Sequence, residues 1–285
     1  MNESAVSFGP DESLVGILTE PDTGRTSGIT VVMSNVGLNH RVGPSRVWVD
    51  LARRLAKHGI RSFRFDASGL GDSAPRADLL TDIERSVLDL KDALDWLTQN
   101  SSDRFVLVSL CSGTDNAHIV AVEDPRVVGV IFLDGYNYPT PAFLFHRYVK
   151  RWVSGPHWKR ALRRRLPSLF DLDLQKRAAG VADEIFVREY PTREKFVADL
   201  SRLMARDAWL LFVFSGETDY TYRNQFWDWV QREQWASRVE VEYYPRANHT
   251  YTFQAEREVM LERATRWIVS VSLRFPESAP RSATG

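Results

Sequence analysis

The chain has 285 residues and carries 37 Lys and Arg side chains against 37 Asp and Glu side chains, so its formal net charge is zero. This balance argues against a general nucleic-acid-binding protein and against a polybasic membrane-surface protein, because both need an excess of positive charge. The single cysteine excludes an intramolecular disulfide and any metal site built from several cysteines.

The first part of the chain alternates strand-like and helix-like segments. The stretch up to Thr23 suggests short β structure, and the apolar run at 29–33 predicts a buried strand. Pro44 is placed to open a helix whose apolar side chains recur every four residues, and Gly59 is placed to cap its C-terminal end. Alternating apolar and polar residues over 60–66 predict the next strand.

The middle of the chain continues this alternation. Thr81 and Glu84 form a capping-box pair, and the apolar residues after them recur at spacings of three and four, which predicts a helix. Two apolar runs, 105–110 and 127–133, predict strands, and residues 112–122 between them predict a helix.

The alternation stops after Gly135. No strand-length apolar run occurs over 136–205. The strand pattern resumes at 209–214 and 239–243, and a final helix is predicted at 255–272.

These elements predict the domain organisation. Strands that alternate with helices are typical of a parallel sheet, so the chain is predicted to be an α/β protein. The segment without strands, in which helical fragments and prolines dominate, then interrupts the α/β pattern. The predicted parts are a first core segment (1–135), this insertion (136–205), a second core segment (206–275) and a disordered tail (276–285).

Cys111 lies where a predicted strand meets a predicted helix. Small residues, Ser109 and Gly113, stand two positions before it and two positions after it. A nucleophile on a sharp strand-to-helix turn has this pattern, because the turn leaves room only for small neighbours. The backbone N–H of Ser112 would face a developing oxyanion, and the helix dipole would favour the thiolate form of Cys111.

A thiol nucleophile needs a base, and the base needs an acid that orients it. Asp219 follows the first strand after the insertion, and His249 follows the last predicted strand. Nucleophile, acid and histidine thus occur in this order, each at a strand end. The sequence therefore predicts the catalytic triad Cys111, Asp219 and His249.

Other readings of these residues stay open. Asp134, at the end of another predicted strand, is the alternative acid. Ser109 and Ser112 are alternative nucleophiles, although either would lie off the apex of the turn. A lone cysteine is also commonly a small buried apolar residue, and a histidine in a loop commonly has no catalytic role.

Together these features resemble the α/β-hydrolase superfamily over residues 14–273. The segment 66–73 is similar to the D-x-x-G-x-G-x-S turn of that superfamily. The elbow resembles the cysteine variants, such as dienelactone hydrolases and bacterial hydrolases with a Cys-Ser-Gly elbow. The resemblance implies an eight-stranded, mostly parallel sheet flanked by helices, with a helical cap inserted after the sixth strand. The insertion at 136–205 falls at this point and is therefore the predicted cap.

The resemblance also implies further site residues. The loop after the third strand is expected to supply the second oxyanion N–H, from Leu38, beside that of Ser112. Independently of the resemblance, substrate contacts are expected from residues of this loop and of the predicted cap segment, namely Gly37, His40, Tyr136 and Trp152. The alternatives are a simple loop role for His40 and a place in the core of the cap for Trp152.

The predicted function is cysteine-dependent hydrolysis of a thioester, an ester or a lactone through an acyl-Cys intermediate. One alternative is an acyltransferase or cyclase that passes an acyl group from a carrier-protein or CoA thioester to an amine or alcohol. Another is a non-catalytic binding protein on the same scaffold. No metal or organic cofactor is indicated.

The predicted cap contains a basic segment. Residues 147–165 carry eight basic side chains and no acidic one. The segment is either a solvated helix face or a docking surface for an acyl carrier protein or a CoA-linked donor. The N-terminus does not resemble a signal peptide, and no apolar run approaches the roughly 20 residues of a transmembrane helix. We therefore expect a cytoplasmic protein.

Overall fold

In the computed structural model, one eight-stranded sheet forms the centre of the molecule. The structure describes residues 1–22, 27–100, 103–138, 140–146, 190–218, 220–230 and 235–276. The strands are β1 (Asn2–Phe8), β2 (Leu14–Glu20), β3 (Thr30–Met33), β4 (Arg61–Phe65), β5 (Phe105–Leu110), β6 (Val127–Leu133), β7 (Trp209–Ser215) and β8 (Val239–Tyr244).

The strand order is β1-β2-β4-β3-β5-β6-β7-β8. β2 pairs antiparallel with β1 and with β4, and all other neighbours pair in parallel. The central strands β5 and β6 are covered on both faces, which explains why they appear in the sequence as continuous apolar runs. The eight-stranded, mostly parallel sheet that the resemblance implied is therefore confirmed.

Helices cover both faces of the sheet. They are α1 (Val47–Lys57), α2 (Asp82–Asn100), α3 (Gly113–Glu123), α4 (Pro141–Leu144), α5 (Arg193–Ala205) and α6 (Gln254–Ser272), with 3-10 turns at Pro10–Glu12, Pro44–Arg46 and Gln225–Asp228. α1 and α6 pack their apolar side chains on one face. α2, α3 and α5 pack theirs on the other face.

Several predicted helix boundaries are confirmed by local contacts. The backbone N–H of Thr81 donates to the Glu84 carboxylate at 2.9 Å, and the N–H of Glu84 donates to Thr81 Oγ1 at 3.3 Å, which completes the capping box before α2. Gly59 has a φ of 74° just after α1, as expected of a C-terminal glycine. Pro44 opens a 3-10 turn instead of the predicted α-helix, which begins three residues later at Val47.

The predicted cap segment is described only at its two ends. Residues 147–189, which include the basic segment 147–165, lie outside the described residues. α5, within the predicted cap, buries Phe196, Leu200 and Leu203 in the same apolar cluster as α2 and α3. This helix therefore packs as part of the α/β core, because its apolar face needs the sheet as a partner. None of the helices described is long and apolar enough to span a membrane.

Candidate active site

The turn between β5 and α3 holds Cys111 in a strained conformation. Its φ is 56°, in the left-handed region, which costs a non-glycine residue about 1–3 kcal/mol. The Cys111 N–H donates to Leu133 O at 3.1 Å, and Thr114 N donates to Cys111 O at 3.0 Å. These bonds hold the side chain at the apex of the turn, partly exposed, while Ser109 is fully buried and donates to Ile131 O at 3.3 Å.

The turn needs glycine two residues after the cysteine. A Cβ on Gly113 would lie 2.6 Å from the backbone oxygen of Asn35, in the loop that follows β3. The small residue at this position therefore lets the loop approach the start of α3. This close approach places the loop after β3 beside the nucleophile.

His249 follows β8 in a tight turn that is packed against the end of β7. A Cβ on Gly216 would lie 2.2 Å from Pro245 O, so the glycine permits this close approach. The Glu217 carboxylate then accepts a hydrogen bond from the backbone N–H of His249 at 3.0 Å. Sequence reasoning missed Glu217, because a carboxylate that binds backbone leaves no pattern in a single sequence.

Asp134 orients the imidazole of His249. The Nδ1–H of His249 donates to Asp134 Oδ2 at 2.9 Å, and Ser215 N donates to the other carboxylate oxygen at 2.6 Å. The Asp134 side chain has no exposed surface. The predicted acid, Asp219, lies outside the described residues. The carboxylate that contacts Nδ1 is that of Asp134, the alternative acid.

Electrostatic interactions connect Asp134, His249 and Cys111. The hydrogen bond to Asp134, and then the hydrogen bond to Cys111, raise the pKa of His249 to about 10 against the opposing effect of burial. An imidazole with this pKa is protonated at neutral pH and favours a thiolate beside it. The three side chains therefore form a continuous chain of hydrogen bonds that ends at the sulfur.

The loop after β3 reaches the elbow through a hydrogen bond to a side chain. The backbone N–H of Gly37 donates to Ser112 Oγ at 3.0 Å. Leu38, the expected second oxyanion donor, has a side chain that is 66% exposed. Its backbone assignment as an oxyanion donor stays a prediction.

A cavity of about 270 Å³ adjoins the elbow on the side of this loop. Its lining includes Gly37, Leu38, Ser112 and Gly113, which connect it to the expected oxyanion site. The remaining wall comes from the turn after β4 and the start of α2, with both apolar and polar side chains. Its volume lies near the lower end of ordinary ligand sites.

His40 belongs to an ion-pair cluster that fixes the same loop. Its Nε2 lies 2.8 Å from an Arg41 guanidinium nitrogen and 3.4 Å from Asp66 Oδ2. The fully buried Asp66 also accepts from the backbone N–H of Arg41 at 2.6 Å, and Arg41 pairs with both Asp66 and Asp72. His40, Asp66 and Asp72 are close enough to hold a metal ion, and the Arg41 guanidinium pairs with both of these carboxylates.

Two other expected substrate contacts have different outcomes. Tyr136 is only 3% exposed, packs edge-on against Phe196 with ring centroids 5.0 Å apart, and places its hydroxyl 3.4 Å from His118 Nδ1. Tyr136 is therefore packed under α5, and its contact with substrate stays a prediction. Trp152 lies outside the described residues.

The fold, with a cysteine, a histidine and an aspartate brought together at strand ends, is that of an α/β hydrolase. The sequence signature of the alpha/beta hydrolase family matches residues 34–262, and the chain belongs to that family. No curated protein matches the sequence significantly.

Solved structures of other hydrolases share the fold. An esterase from Pyrococcus furiosus is 15% identical, with a TM-score of 0.61 and coverage of 96% of this chain and 92% of its own. An alpha-beta serine hydrolase homologue from Coxiella burnetii is 18% identical, with a TM-score of 0.55 and coverage of 94% and 97%. An alpha/beta hydrolase from a Penicillium species is 17% identical, with a TM-score of 0.55 and coverage of 96% and 100%.

Proposed function

We propose that this chain is a cysteine-dependent hydrolase that cleaves a thioester, an ester or a lactone through an acyl-Cys111 intermediate. The observation that carries the proposal is the chain of hydrogen bonds from Asp134 through His249 to a cysteine on a left-handed turn. Membership of the alpha/beta hydrolase family supports hydrolysis as the reaction class.

In the first half of the reaction, the Cys111 thiolate attacks the carbonyl carbon of the substrate. A C–S bond forms, and the carbonyl π electrons move to the oxygen, which becomes an oxyanion. The backbone N–H of Ser112, at the N-terminal end of α3, stabilises this charge. The oxyanion then collapses, the bond to the leaving group breaks, and protonated His249 gives its Nε2 proton to the departing sulfur or oxygen.

In the second half, water attacks the acyl-cysteine. Neutral His249 takes a proton from the water as the C–O bond forms, and a second oxyanion develops at the same place. Its collapse breaks the C–S bond, which releases the carboxylic acid and restores the thiolate beside protonated His249. Asp134 holds the imidazole orientation through both halves.

The chemistry of the intermediate indicates the substrate class. An acyl-cysteine is itself a thioester, so its formation from another thioester is close to an even exchange. Its formation from an ester or a lactone is favourable when the leaving oxygen is activated. Formation from an amide would be uphill. The volume of the cavity beside Ser112 favours a small group on that side of the reacting carbonyl.

The test is turnover of a panel of acyl thioesters and activated esters by wild type, Cys111→Ala and Cys111→Ser. We expect free acid from wild type, no acid above background from Cys111→Ala, and a large loss in Cys111→Ser, because a serine hydroxyl resists ionisation far more than a thiol. Ser109→Ala is the matched control, since its hydroxyl is buried against β6.

Each other outcome supports a different class of protein. Normal turnover by Cys111→Ala would assign the reaction to another nucleophile. Conjugate in place of free acid when an amine or alcohol is supplied would indicate acyl transfer. Binding of substrate with no turnover and no acyl adduct in wild type would indicate a non-catalytic binding protein.

A further inference from the structure

The side chain of Ser112 makes an unexpected contact. Ser112 is the N-cap residue of α3, where a serine hydroxyl ordinarily accepts a hydrogen bond from a backbone N–H of the first turn. Here it makes no such capping bond. Its oxygen instead accepts the N–H of Gly37 at 3.0 Å, from the loop after β3.

This contact determines what the hydroxyl can still do. A serine hydroxyl has one proton to donate and two lone pairs that accept. The Gly37 N–H occupies a lone pair, so the proton stays available for an acceptor. A hydroxyl that already accepts a hydrogen bond is polarised and becomes a better donor.

The position of the hydroxyl indicates which group would accept its hydrogen bond. Ser112 directly follows Cys111, and its backbone N–H is the expected first oxyanion donor. Ser112 also lines the cavity beside the elbow, together with Gly37 and Leu38. An oxyanion that accepts from the backbone N–H of Ser112 would lie next to the side chain of the same residue.

We propose that the Ser112 hydroxyl donates a hydrogen bond to the oxyanion, with the Gly37 N–H held behind it as the polarising donor. Ser112 then stabilises the oxyanion through both its backbone N–H and its side-chain hydroxyl. The Gly37 amide contributes indirectly, because it polarises that hydroxyl. This inference rests on the proposed acyl-Cys111 chemistry and adds a catalytic side chain to it.

The test compares two reactions of the same thiol. Acylation of Cys111 by p-nitrophenyl acetate forms an oxyanion, whereas alkylation by iodoacetamide attacks a saturated carbon and forms none. Loss of one oxyanion donor lowers the rate by about 10²–10³-fold in enzymes where it has been measured. We expect Ser112→Ala to lower the acylation rate by about 10²-fold and to alkylate at the wild-type rate.

The variants Ser112→Thr and Ser109→Ala complete the design. The threonine retains a hydroxyl and is expected to restore most of the acylation rate, while Ser109→Ala is expected to react as wild type. Thermal unfolding of each variant separates a folding defect from a chemical one, and a folding defect would slow both reactions of the thiol.

Three results would overturn the inference. An acylation rate of Ser112→Ala equal to that of wild type would show that the hydroxyl does not donate to the oxyanion. An equal loss of acylation and alkylation would show that it acts on the thiolate or on folding. Failure of Ser112→Thr to restore acylation would assign the loss to the shape of the turn. A wild type that never acquires acetyl at Cys111 would instead reject the proposed function itself.

Discussion

Replacement of Asp134 by asparagine removes the negative charge that orients His249 and leaves the shape of the side chain nearly unchanged. The carboxylate accepts from His249 Nδ1 at 2.9 Å and from Ser215 N at 2.6 Å. If the introduced amide keeps its oxygen toward Ser215, its nitrogen faces Nδ1 as a second donor. The histidine must then carry its proton on Nε2, where it can no longer accept a proton from the thiol.

The size of the expected loss of acylation follows from the same contacts of Asp134. The hydrogen bond to Asp134 is the largest cause of the raised pKa of His249, which is about 10 in the wild type. Its loss lowers that pKa and removes the imidazolium that favours the thiolate. The analogous aspartate-to-asparagine change in a serine protease triad lowers kcat about 10⁴-fold. We expect Asp134→Asn to lower acylation by at least about 10²-fold, since a thiol depends less on its base than a serine hydroxyl does.

The assay is the pH dependence of Cys111 alkylation by iodoacetamide. We expect wild type to react as a thiolate at neutral pH, and Asp134→Asn to react only as pH approaches the ordinary thiol pKa of about 8.5. Asp199→Asn is the matched control, because Asp199 is also a buried aspartate beside a histidine, 3.4 Å from His118, but lies on α5. Overlapping profiles for Asp134→Asn and wild type, together with a large loss in Asp219→Asn, would refute the reasoning and restore the acid predicted from the sequence.

Three further predictions concern stability and packing. The raised pKa of His249 stabilises the folded state fully at pH values below the unfolded pKa of about 6.5, and this stabilisation is lost as pH rises through about 10. Urea unfolding is expected to show this decline in wild type but not in Asp134→Asn. Burial lowers the pKa of His118 to about 4, so stability should fall as pH drops from about 6.5 to 4, and His118→Gln should flatten that part of the curve. Gly113→Ala should lower the acylation rate by a larger factor than its change in melting temperature accounts for, because its Cβ would lie 2.6 Å from Asn35 O in the loop after β3. An acylation rate equal to that of wild type would show that this loop adjusts at no cost.

The sequence predicted the elements of the core well because their signals are local. The capping box before α2 and the continuous apolar runs of β5 and β6 reflect short-range geometry and burial on both faces. The elbow was predictable for the same reason, since its small residues lie within two positions of Cys111.

The choice of acid depended on geometry that the sequence does not carry. Acidic residues follow both β6 and β7, and the two strands are neighbours in the sheet. Asp134 comes directly after its strand and adopts a φ of 48°, which aspartate tolerates better than most residues. The contact that brings Asp134 to Nδ1 of His249 joins residues 115 positions apart in the chain.

The surroundings of individual side chains were the least predictable part. His40 contacts Asp66 and Arg41 in a cluster assembled across the loop after β3 and the turn after β4. Tyr136 packs against Phe196 of α5. In both cases the deciding contact joins segments that are distant in the chain or separated by the predicted cap.

The most direct test of the account is the mass of the protein after reaction with p-nitrophenyl acetate or an acetyl thioester. The account predicts that wild type gains one acetyl group, that peptide mapping places it on Cys111, and that Cys111→Ala gains none. Acetyl on Ser112 or another residue, or a wild type that turns over substrate without ever carrying acetyl at Cys111, would contradict it.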